Sequence, residues 1–161
     1  MAIENKQYIT LMIEDLQKKS ALLDKIIAVN ERQKEIINQP DMDLDAFGST
    51  VEEKAGYVDE INMLDTGFQS LFEHVGEALD GQKELYREEI RTMQGLIREV
   101  TDKSVAIQAE EERNRLTIEG QFAKMKQEVR QAKKSMGVTG NYYKSMSGTN
   151  VIESQFMDIK N

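Results

Sequence analysis

The side chains of this 161-residue chain best suited to acid–base or metal chemistry are its single histidine, His74, and the carboxylate run Glu110, Glu111 and Glu112. A nucleophilic triad needs a histidine beside a serine and a carboxylate, and no spacing here supports one. Helical di-iron centres use Glu-x-x-His pairs, whereas the residue three before His74 is Leu71. Consecutive glutamates on a helix point about 100° apart, so the 110–112 run splays instead of converging on an ion. Cysteine is absent, which removes disulfides, thiolate metal sites and cysteine nucleophiles. No glycine-rich phosphate loop is present. These residues predict no enzyme, no cofactor and no metal.

What remains is the chemistry of binding. The formal net charge is -8, which argues against nucleic acid. Its distribution is uneven: residues 41–80 hold eleven acids and one base, Lys54, whereas 113–134 hold seven bases and two acids. Such blocks are solvated helix faces or partner surfaces. Nine methionines are present. Met12 and Met93 fall in rows that read as core, and Met125 and Met136 fall where a partner or a fold-back would meet them. The ending, "GNYYKSMSGTNVIESQFMDIKN", is rich in Gly, Ser, Thr and Asn yet carries Tyr142, Tyr143, Val151, Ile152, Phe156 and Met157. Aromatic residues dominate interface hot spots, so this tail either packs on its own domain or orders on a partner.

The elements that position these residues are helices. Ile9, Met12, Leu16, Leu23, Ile26 and Ile37 recur on one helical face, with Asn30 a polar residue in the same row. Pro40 pushes the preceding residue out of helical geometry, ending the first helix near Asn38. Asp43 is placed to cap a second helix, whose stripe from Leu44 to Val75 is interrupted by Lys54 and Asp65. Gly81 marks the next turn. A third stripe runs from Tyr86 to Ile107, fades through "QAEEERNR" (108–115), and resumes at Ile118, Phe122, Met125, Val129, Ala132 and Met136. The fold class is all-α: three long antiparallel helices in a coiled-coil-like bundle, the third extended or bent near Gly120. A domain of residues 1–137 then precedes a flexible C-terminal tail, 138–161.

The first two helices each span about 35 residues, or ~50 Å, and the third would approach ~80 Å. An antiparallel partner is exhausted near residue 116, leaving 117–136 with an apolar stripe and nothing to face. That stripe folds back at Gly120, pairs with another copy as a homodimer, or waits for a client. The first twenty residues hold acids and no continuous apolar run, and no stretch reaches the length of a membrane span. The chain is therefore expected to be soluble and cytoplasmic.

The three long helices, the segment "VNERQKEII" (29–37) and the ending quoted above resemble the FlgN-type flagellar export chaperones. Tyr142 or Tyr143 and "FMDIK" (156–160) fit the tail pattern of that family. The resemblance implies a chaperone that binds the C-terminal helix of hook-associated junction proteins, keeps them unpolymerised and delivers them to the export gate at the inner membrane. It implies that Ile118, Phe122, Met125, Val129, Ala132 and Met136 hold the client helix, and that Tyr142, Tyr143 and Phe156 dock the gate. The competing expectation is a coiled-coil adaptor or scaffold that homo-oligomerises through 117–136.

Overall fold

The computed structural model describes residues 2–136, with side chains from Glu4 to Lys134. They form three helices: α1, Ala2–Ile37; α2, Leu44–Gly81; and α3, Arg87–Met136. Among the described residues there is no strand. The all-α reading and the three-helix order hold.

Helix ends follow the local chemistry. Asn38 closes α1, its backbone N–H donating to Lys34 O at 3.2 Å and its Nδ2 donating to the same carbonyl at 2.7 Å. Asp43 caps α2, its Oδ1 accepting from the N–H groups of Asp45 and Ala46 at 3.0 and 3.1 Å. That satisfies two of the donors a helix start leaves free. One boundary differs from the sequence reading. Residues 82–86 form a turn, with Leu85 N–H donating to Gln82 O at 3.1 Å, and α3 begins at Arg87. Tyr86 is buried just before the helix, and its carbonyl accepts from Ile90 N–H at 2.8 Å. Gly120 does not interrupt α3, and a Cβ there would meet only open space.

Packing divides the chain into two compact units, and all three helices contribute to both. The first draws on α1 up to Ile27 and on Gly56–Ile107. Its core has two clusters. Ile9, Met12 and Leu16 pack with Val75, Leu79, Tyr86 and Met93 in one, and Leu22, Leu23 and Ile26 pack with Ile61 and Val100 in the other. Met12 and Met93 are thus core residues. The order of contacts fixes the directions: Ile9 to Leu16 pack with Val75, Leu79 and Met93, whereas Leu22 to Ile26 pack with Ile61 and Val100, so α2 runs antiparallel to α1 and α3 parallel to it. Lys19 meets Asp65 at 2.7 Å and Lys103 meets Asp24 at 2.9 Å across these seams.

The second unit is built from Ala28–Ala55 and α3 from Gln108 onward. Ile37, Phe47, Val51, Ile118 and Phe122 form its core, and Met42, Leu44 and Met125 pack against it. Phe47 and Phe122 meet edge-on, with ring centroids 6.3 Å apart and planes at 79°. This arrangement corrects the expectation that the partner surface ends near residue 116. Ile118 and Phe122 still pack against Ile37 of α1 and Phe47 and Val51 of α2.

Candidate functional site

The second unit contains a buried polar layer that precedes the apolar cluster along α3. Asn30 and Gln33 from α1, Thr50 and Lys54 from α2, and Glu111 and Asn114 from α3 are all buried. Spacings of three or four residues put each pair on one face of its helix. The three faces meet at Lys54, whose Nζ donates to Glu111 Oε1 at 2.7 Å and to Asn30 Oδ1 and Gln33 Oε1 at 3.0 Å each. Gln33 Nε2 donates to Thr50 Oγ1 at 3.0 Å, and Asn114 Nδ2 donates to Gln33 Oε1 and to the Asn30 carbonyl, both at 3.3 Å.

The electrostatics follow from burial. Lys54 is fully enclosed, and desolvation pulls its pKa below the usual lysine value although Glu111 opposes the shift. Glu110, next along α3, has its carboxyl pushed up, first by burial and then by the Glu31 carboxylate. A buried ion pair adds little net stability compared with apolar packing, but it penalises every arrangement that separates the partners. The layer therefore acts on register. It penalises other heights of α3 against α1 and α2, because a slip of one turn would strand Lys54 or Glu111 without its partner.

α3 is held again on either side of Phe122. Gln121 Nε2 donates to the carbonyls of Ile37 and Gln39 at 2.7 and 3.0 Å, and Lys124 Nζ donates to Pro40 O at 3.3 Å. These carbonyls lie at and after the α1 C-terminus, where backbone acceptors lack helical partners and the dipole favours a cation. Past this point the apolar row of α3 continues through Val129 and Ala132, both of intermediate exposure. Lys126, Arg130 and Lys134 line a shallow polar depression on this same stretch of helix.

The predicted client residues therefore separate. Ile118 and Phe122, 1% and 2% exposed, belong to the core and offer no free surface to a client or a second copy, which corrects the reading of 117–136 as one unpartnered stripe. Met125 lies at the edge of that core. Val129 and Ala132 continue the row, while Met136 ends α3 with its side chain outside the described residues. Tyr142, Tyr143 and Phe156 also lie outside the described residues. Glu110, Glu111 and Glu112 do splay: Glu111 turns to Lys54 and Glu112 pairs with Arg115. His74 sits on the surface with Nδ1 3.0 Å from Ser70 O and its ring beside Tyr8. Among the described residues no group of three or more histidine and carboxylate side chains is placed to hold a metal ion. None of the described helices is long and apolar enough to cross a membrane. No family model matches the chain, and comparison with curated proteins and with solved structures finds no match.

Proposed function

We propose that this protein is a cytoplasmic export chaperone of the FlgN type, which captures an amphipathic helix of a hook-associated junction protein along the last turns of α3 and presents it to the export gate. The observation that carries this reading is the continuation of α3 beyond its own core. The apolar row persists through Met125, Val129 and Ala132, while Met125 is the last α3 residue packed on the cluster of Ile37, Phe47 and Val51. A soluble helix that keeps an apolar row past its last intramolecular partner is suited to helix-in-groove recognition. The client helix would set its i, i+3/i+4 and i+7 anchors on that row. Ile118 and Phe122 serve beneath it as the buried footing, and the ion pair of Lys54 with Glu111 keeps the row at a fixed height.

Titration of the full chain with a labelled peptide matching the last helix of a hook-associated protein tests this. Val129→Glu combined with Ala132→Glu places charge in the row without touching the core and should weaken binding by on the order of a hundredfold. Unchanged affinity in that variant overturns the assignment of the row.

A further inference from the structure

The first unit carries a different surface. α1 and α2 enclose a groove of about 560 Å³, floored by Ala21, Leu22, Leu64 and Gly67. Met63 stands on its edge with 75% of its surface exposed. The charged side chains along it are Asp15, Lys18, Lys25 and Glu60, two acids and two bases. Burial is the main influence raising the Asp15 carboxyl above its ordinary range, against an opposing pull from the Lys18 ammonium. A Cβ at Gly67 would sit 3.6 Å from Asp15 Oδ2, so the carboxylate lies over the floor of the groove.

We propose that this face of α1 and α2 packs on the same face of a second copy of the chain, the exposed Met63 of each entering the groove of the other, about a two-fold axis crossing α1 between Asp15 and Lys25. The order of charge chooses the occupant. A strongly basic helix would meet Lys18 and Lys25, and a strongly acidic one would meet Asp15 and Glu60. A copy running in the opposite direction avoids both conflicts. Asp15 and Lys25 are separated by about 15 Å along the helix axis. The two-fold therefore sets Asp15 of each copy against Lys25 of the other, and the aliphatic stem of Lys18 over Leu22. Met63 supplies exposed apolar surface, and Ala21 and Gly67 leave room for it. Lys25 Nζ, 5.7 Å from the Tyr57 ring centroid, is held at the edge of the groove where an incoming carboxylate reaches it. The inference rests on the first unit alone and is independent of client binding by α3.

Sedimentation equilibrium of the full chain over a wide concentration range reads the association directly. Wild type should form a dimer. Asp15→Lys and Lys25→Asp each set like charges together twice per interface and should raise the dissociation constant by on the order of a hundredfold. The combined variant restores opposite charges in reversed order and should return close to wild type. Met63→Glu, at an exposed position that leaves the core intact, should weaken the dimer as well. Wild type that stays monomeric throughout overturns the proposal. So does a dimer indifferent to all four variants, or single reversals that the combined variant fails to rescue.

Discussion

Replacing Lys54 by methionine probes the buried layer most sharply. Methionine approximates the aliphatic stem, so the packing volume is nearly kept and the lost property is the charge. Glu111 is 5% exposed and would then hold a carboxylate with no cation, while Asn30 Oδ1 and Gln33 Oε1 each lose a donor. Removing one partner of a buried ion pair costs about 3–5 kcal/mol. Glu111→Leu should cost a similar amount by stranding Lys54. The double variant Lys54→Met, Glu111→Leu leaves no buried charge, and its loss should fall below the sum of the singles by roughly 2–3 kcal/mol. Urea unfolding followed by circular dichroism measures the four stabilities. Amide exchange along α3 from Gln108 shows whether the loss is centred in the second unit. Single losses under about 1 kcal/mol, or strictly additive losses, would refute the claim that this pair sets the register of α3.

Glu110→Gln should stabilise the protein at pH 7, because the raised carboxyl of the folded state is a cost wherever it is ionised. For an acid whose folded pKa lies above the unfolded one, the favourable contribution is present below the unfolded value and disappears as pH rises through the folded one. The gain in the variant should therefore shrink as pH falls through the raised folded value and be largely gone below the ordinary glutamate value of 4.5, as melting curves across that range will show. Gln121→Ala removes two donors to the carbonyls of Ile37 and Gln39 and should cost about 1–2 kcal/mol, with faster amide exchange at the end of α1. Substituting Tyr142 and Tyr143 together by alanine should leave affinity for the client peptide unchanged and weaken binding to the export-gate protein. Loss of both in a pull-down would place the tyrosines in the helical body.

The helices and their turns were legible because their signals are local. Pro40 and Asn38 mark the end of α1, and Asp43 caps α2 by a hydrogen bond that depends on two adjacent residues. The start of α3 was less visible, since "QKELY" (82–86) has a composition that suits a helix as well as a turn. The buried layer was visible only in part. Asn30 stood out as a polar residue in an apolar row, yet Lys54 read as an interruption and Glu111 and Asn114 as part of a polar stretch. Hydrophobic periodicity counts only apolar residues, so it falls silent where polar side chains face inward. The spacing carried a signal nonetheless: Ile107, Glu111, Asn114, Ile118 and Phe122 continue one row in steps of three and four. Likewise Ile26, Asn30, Gln33 and Ile37 share a face of α1. Three polar gaps at matching positions in three seams identify a cross-helix cluster, a property that no single helix displays. The burial of Ile118 and Phe122 was lost for a related reason, because the level at which α3 meets Ile37 and Phe47 depends on a tertiary register.

Amide hydrogen exchange on the purified chain, alone and with the hook-associated helix peptide, tests the capture of a client by α3 most directly. The account predicts that amides around Ile118 and Phe122 are protected without the peptide, and that binding adds protection between Met125 and Lys134. Exchange that is unchanged across Met125–Lys134 at saturating peptide, or new protection confined to other helices, would contradict it.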